Sequence, residues 1–351
     1  MSSSTAADPV TWDVPLRVTV SIGPPARVDA VTVTLATAPS LPALTEGLKI
    51  PIIFDGLEDR AGYDPAFLGP DVPLPALTDR GQQIAAPLQD GGYELRYDKF
   101  SIVMHKRRRL ALFTASNIDW RESSRLIDGN RPTRRQLTGL KDGDIEKWMI
   151  DWRLRDEHQL PDAFWTRDGG TFDKGHLVRR DDVAYGPDLE VMQRGNGDTY
   201  HTTNCSPQIA AFNRSSRGVD NWGDLENMVQ QQTRSEKAVI LSGPVLANDD
   251  PLFDGRGENG ASVVLRIPRR FWKVIVVLGQ GWQPQSYGFI LEQDLSGVPT
   301  REEFTVSAAW QRYMCSLREI DDLLFGLASL GPVKAWDQIA TANGEAVRRT
   351  M

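Results

Sequence analysis

From Tyr93 onward, strand-like and helix-like stretches follow one another irregularly, without the regular βαβ alternation that a doubly wound parallel sheet requires. Two apolar runs, Tyr97–His105 and Leu110–Ala115, flank the basic turn Lys106–Arg109 and read as a hairpin or strand pair. Further strands are expected at Leu177–Val178, Ala238–Gly243, Val263–Ile267 and Phe271–Leu278. A helix is expected at Asp220–Arg234, where Trp222, Leu225, Met228 and Val229 fall on one side. A second is expected at Arg301–Ser316, followed by the short apolar-periodic segment Leu317–Leu327. This order predicts an α+β fold with a central, mostly antiparallel sheet flanked by helices.

The first ninety residues have another texture. Prolines punctuate them at short intervals, and between Asp55 and Ala86 they forbid any long helix. Two strand-like stretches stand out there, Leu16–Ile22 and Val31–Leu35. Residues 1–90 are therefore expected to form a Pro-rich arm that docks on the main domain or on a partner. Residues 91–330 would form the principal domain, and 331–351 a tail. The N-terminus has neither a basic stretch nor an apolar core of the kind that directs secretion. Apolar runs are far too short to span a bilayer, and the only cysteines, Cys205 and Cys315, read as reduced thiols. A cytoplasmic protein is the expectation.

Net charge is −7, but it is unevenly spread. Residues 1–90 carry eleven acids against five bases, whereas residues 101–135 carry nine bases against three acids. Binding a polyanion needs a local positive surface rather than a basic whole, and this stretch supplies one. Arg107 and Arg108, in the hairpin turn, are candidate phosphate contacts on that ground.

Only four histidines occur: His105, His158, His176 and His201. An isolated histidine is usually structural. His176 differs in its company, Asp173-Lys174-Gly175-His176-Leu177-Val178-Arg179-Arg180. Gly175 allows a conformation or an approach that a side chain would block, Asp173 is a short acceptor, and three cations suit a phosphate. Downstream come Asn204-Cys205-Ser206-Pro207-Gln208, then Phe212-Asn213-Arg214, then Asn221-Trp222-Gly223-Asp224-Leu225-Glu226. Most of the tryptophans, including Trp222 and Trp272, sit at apolar-periodic positions and read as core; Trp165, just before the histidine motif, is the one to test for base stacking.

These pieces, in this order, resemble the DNA/RNA non-specific endonucleases, the ββα-metal nucleases that include secreted bacterial nucleases and mitochondrial endonuclease G. That family reads Asp-Arg-Gly-His, then Asn-x-Ser-Pro-Gln, then an Asn ahead of Trp-x-x-Leu-Glu. Flanking matches include Ala115-Ser116-Asn117, Ser242-Gly243-Pro244 and Phe271-Trp272-Lys273, so the likeness runs from about Tyr93 to Phe325. The resemblance implies metal-dependent hydrolysis of DNA and RNA to products with 5′-phosphate ends, without base readout. It implies His176 as general base and Asn213 as the one direct protein ligand of Mg²⁺ or Mn²⁺. Glu226 would hold a metal-bound water, Asp173 would position the histidine motif, and Asn204 would hold the backbone. Lys174, Arg179 and Arg180 would stabilise charge on the phosphate. A homodimer is implied as well.

Two departures from the pattern bear on these roles. Lys174 stands where the family has arginine, which keeps charge but loses the bidentate fork. Thirteen positions separate Asn213 from Glu226, a longer interval than expected, which leaves Asn221 as the alternative metal ligand. Both features also leave open a protein that keeps the nuclease fold but acts as a nucleic-acid- or partner-binding module. An unspecific nuclease without an export signal calls for restraint, by an inhibitor or partner, and the acidic residues 1–90 are the expected docking element.

Overall fold

The computed structural model describes residues 56–141, 144, 146–166, 170–233, 236–299 and 315–323. The strands expected at Leu16–Ile22 and Val31–Leu35 lie outside the described residues, as does most of the helix expected at Arg301–Ser316.

Among the described residues the chain forms α1 (Asp79–Ile84), β1 (Glu94–Tyr97), β2 (Phe100–Met104), β3 (Ala111–Asp119), α2 (Arg134–Thr138), α3 (Asp162–Thr166) and β4 (Asp173–His176). It continues through α4 (Arg180–Val183), α5 (Leu189–Asp198), β5 (Cys205–Gln208), α6 (Ala210–Asn213) and α7 (Trp222–Gln232). Then come β6 (Lys237–Val245), β7 (Leu252–Arg256), β8 (Ser262–Arg266), β9 (Arg270–Leu278), β10 (Pro284–Glu292) and α8 (Leu317–Leu323). The central sheet has six strands in the order β1-β2-β3-β6-β9-β10, each neighbour antiparallel. The expected α+β class, with an antiparallel sheet and flanking helices, is what the chain adopts.

The expected hairpin is β2–β3, closed where His105 N–H donates to Leu110 O at 2.8 Å. Strand β3 is buried along almost its whole length, so the sheet is covered on both faces. On one face, Ile240, Phe271 and Ile275 pack with Leu177, Phe212, Trp222, Leu225 and Val229. This apolar layer carries the module β4–β5–α6–α7. On the other face, Ala115, Val239 and Val276 pack under Tyr63 and Leu68, with Phe67, Val72 and Leu74 beside them.

That second layer holds part of the Pro-rich stretch against the main domain. Leu57 and Ala86 belong to the main core, and Arg60 forms a bidentate ion pair with the fully buried Asp198. Arg153 Nη1 donates to the carbonyls of both Leu57 and Arg96. Residues 56–90 thus form part of the domain. Prolines deny this stretch regular structure, but its apolar side chains still find the sheet.

Candidate active site

Strand β4 pairs antiparallel with β5, setting Asp173 opposite Gln208, Gly175 opposite Ser206 and His176 opposite Cys205. A Cβ on Gly175 would come within 2.2 Å of Gln208 Oε1, so the glycine answers a close approach rather than a left-handed backbone. The strand ends at His176; the expected strand residues Leu177 and Val178 lie just beyond it, both buried. Asn204 grips that exit. Its Oδ1 accepts from Val178 N–H at 2.9 Å, and its Nδ2 donates to Val178 O and Thr199 O.

The His176 ring is walled by Trp148 and Tyr200, with centroids 4.7 and 6.1 Å away in edge-on geometry. Although the residue is half-buried, its Nε2 is closed to solvent and has no hydrogen-bond partner among the described residues. Burial, and then the charges of Arg180, Arg179, Arg134 and Lys174, push its pKa down to about 3. The imidazole is therefore neutral and proton-accepting at physiological pH. An unpaired buried nitrogen costs about 1–3 kcal/mol, a cost that folds retain chiefly where chemistry needs it.

Asp173 accepts from Asn213 Nδ2 at 2.9 Å and from Arg214 Nε and Nη2 at 2.7 and 2.5 Å. This differs from the expected hydrogen-bonding of Asp173 to the histidine motif: the carboxylate holds the asparagine. A carboxylate only accepts, so it fixes which way the amide faces. Asn213 Oδ1 is left with no protein donor among the described residues. Asn221 is occupied otherwise. It caps α7 in a reciprocal pair with Asp224, and its Nδ2 donates to Ala211 O and Arg214 O. A buried side chain with every polar atom engaged is unsuited to a cation, whereas Asn213 Oδ1 stays unengaged among the described residues.

Glu226, on α7, faces the buried ammonium of Lys273 from β9, at 3.2 Å, and Arg179 Nε at 4.0 Å. Lys273 Nζ also lies 4.2 Å over the Trp222 ring. Arg179 donates to Gln230 at 2.9 Å, and Arg180 Nε sits 3.4 Å from Asp181. Lys174 is paired with Asp162 and lies over Trp148. A cation already neutralised in this way is poorly placed to serve the phosphate directly.

The remaining residues singled out in the sequence are placed as follows. Arg108 is engaged within the protein, donating to Ala247 O, Asp250 Oδ2 and Arg266 O. Arg107 stays exposed at the turn, where its N–H and that of Arg108 donate to His105 Nδ1. His158 and His201 bind backbone oxygens of Lys106 and Asp198. Trp165 is buried against Phe164, which removes it as a stacking platform. Cys205 and Cys315 are free thiols. The sequence reading did not assign roles to Arg214, Lys273, Trp148 or Tyr200. Arg214 adjoins Asn213, and Lys273 stands in the sequence only as the last residue of Phe271-Trp272-Lys273.

No group of three or more His, Cys, Asp or Glu side chains poised for a cation occurs among the described residues. A site built from one amide oxygen and waters needs no such group. The unengaged Oδ1 of Asn213 is a hard donor of the kind Mg²⁺ takes while keeping most of its waters.

The chain belongs to the DNA/RNA non-specific endonuclease family, whose model matches residues 78–331. It is similar to an uncharacterized protein, y4fB of Sinorhizobium fredii, with 33% identity over 251 residues, covering 68% of this chain and 33% of that protein. The chain thus spans about a third of that relative's length. Among solved structures it matches a chain from an EndoG/EndoGI complex at 17% identity and a TM-score of 0.40, covering 63% of this chain and 82% of that one.

Proposed function

We infer that this protein is a divalent-metal-dependent endonuclease that hydrolyses phosphodiester bonds of DNA and RNA, leaving 5′-phosphate ends. One observation carries the reading: a neutral, unpartnered His176 Nε2 beside several cations, on a strand whose Asp173 orients Asn213. In this reading His176 Nε2 takes the proton of the attacking water. Trp148 and Tyr200 hold the ring in place, and Asn204 fixes the backbone that follows it. Arg179 and Arg180 offset charge on the phosphoryl oxygens. Asn213 Oδ1 would hold Mg²⁺ or Mn²⁺, with Glu226 bound to one of its waters. Such a cation, when bound, supplies Lewis-acid stabilisation of the phosphoryl and leaving oxygens. The roles assigned here fall on the phosphate and its metal rather than on a base or the 2′-hydroxyl, and such a backbone reader would act on both nucleic acids.

The pairing of Lys174 with Asp162 favours one other reading, a nuclease fold kept for binding alone. Titrating Mg²⁺ and Mn²⁺ against supercoiled plasmid and total RNA, with and without EDTA, separates the two. The endonuclease reading expects saturable cleavage abolished by EDTA. Unchanged substrates at every metal concentration would leave the binding module.

A further inference from the structure

A cavity of about 250 Å³ opens beside the candidate active site, lined by Trp120, Arg125, Arg131, Arg134, Arg180 and Gln230, with Asp181 as its one acid. Four guanidinium groups against a single carboxylate make it a place for an anion. Arg125 is almost wholly buried, yet it donates to the carbonyls of Asp119, Asp181 and Asp182 rather than to a carboxylate, and it lies 3.6 Å over Trp120. Its position is fixed by groups that do not cancel its charge. Arg131, exposed and 5.8 Å from the Trp120 ring centroid, makes no hydrogen bond or ion pair with any described residue. Its planar fork is therefore available to an incoming oxyanion. Trp120 Nε1 is buried and lacks an acceptor.

The cavity is connected to His176. The Tyr200 ring lies 6.1 Å from the imidazole, and its hydroxyl donates to Glu146 Oε1 at 3.2 Å. Glu146 in turn pairs with Arg134 on the cavity wall. The volume is below that of a pocket for a whole drug-sized ligand and suits one phosphate with part of its sugar.

We propose that this cavity takes a second phosphate of the bound strand, next to the phosphate at His176, so that the protein grips a polynucleotide at two neighbouring phosphodiesters. The inference rests on the nucleic-acid-cleaving reading given above and deepens it: the substrate is a polynucleotide longer than one phosphodiester, held by its backbone. Arg131 supplies the mobile fork, Arg125 and Arg180 the fixed positive walls.

The test measures binding, so it does not depend on turnover. In the full chain carrying His176→Ala, the affinity for a fluorescent twelve-nucleotide single strand is followed by anisotropy across a salt series. Arg131→Ala in that background is expected to weaken binding about fivefold near 0.1 M salt and to lower the slope of log affinity against log salt by about 0.7, one phosphate contact on a single strand. Arg131→Lys keeps the charge and should restore most of the slope. An unchanged affinity and slope with Arg131→Ala would overturn the proposal. So would an equal loss from Arg256→Ala, an exposed arginine on β7 outside the cavity, because the effect would then be one of general charge. Calorimetric titration with inorganic phosphate covers the remaining source. Phosphate binding that Arg131→Ala abolishes, with oligonucleotide affinity intact, would make this a free-phosphate site and overturn the strand subsite. Metal-dependent cleavage with an unaltered slope removes the subsite alone. An altered slope in a protein that never cleaves removes the nuclease reading and keeps the subsite.

Discussion

His176 combines two properties that are costly to maintain together: its ring nitrogen is shielded from water, and no protein group satisfies it. The shielding, reinforced by Arg180, Arg179, Arg134 and Lys174, lowers its pKa to about 3. If His176 is the base, as proposed, the free enzyme keeps it unprotonated well below neutrality, and kcat/KM reports the free enzyme. Its acid limb is expected below pH 5, with no break between pH 6 and 7; a break in that interval would contradict the environment described for the ring. Stability follows the same shift. The unfolded histidine, with a pKa near 6.5, binds more protons than the folded one between about pH 6.5 and 3, so the fold loses stability as pH falls through that window and keeps its full contribution above it. At this scale the sequence singled out the histidine because its tetrapeptide is followed in order by the Asn204–Gln208 and Asn221–Glu226 pieces; the tetrapeptide alone is weak. It could not disclose Arg108, because a basic turn reads the same whether its side chains meet solvent or fold back onto Ala247 and Asp250. Nor could spacing alone reveal that Asn221 is spent on capping α7.

Between elements, the decisive contact is Lys273 of β9 with Glu226 of α7, which joins the sheet to the helix carrying a candidate metal-water ligand. Lys273 is 1% exposed, and a buried ammonium is tolerated only with a partner. Lys273→Met leaves the carboxylate with Arg179, at 4.0 Å, as its nearest remaining cation. A stability loss of about 3–5 kcal/mol is expected, and Lys273→Met with Glu226→Gln should lose much less than the two single losses added together. Denaturant melts of the four proteins measure this, and simple additivity would contradict the pairing. The legible elements were those with long apolar runs, such as β6 and β9, and the periodic helix α7. Strand β10 escaped because Gln285, Ser286, Tyr287 and Gly288 are exposed and carry no alternation. Helices α3, α4 and α6 are four or five residues long, too few for a helical period to show.

Across the whole molecule, the two-faced sheet explains why residues 56–90 belong to the domain: they cover the face opposite the site module. A chain lacking residues 1–90 would lose Leu57 and Ala86 from the main core and leave Asp198 buried without Arg60. It is expected to show no cooperative melt by circular dichroism, whereas a cooperative melt near that of the full chain would mean the layer is dispensable. Prolines made this stretch look like an appendage, because punctuation reveals where regular structure stops but not where side chains pack. Whether His176 is the base of a metal-dependent phosphodiester hydrolase is decided by cleavage of supercoiled plasmid in Mg²⁺ by the His176→Ala chain. The predicted result is a fall in rate of about 10²-fold or more with melting behaviour and oligonucleotide binding preserved. Plasmid cut at the wild-type rate would contradict it.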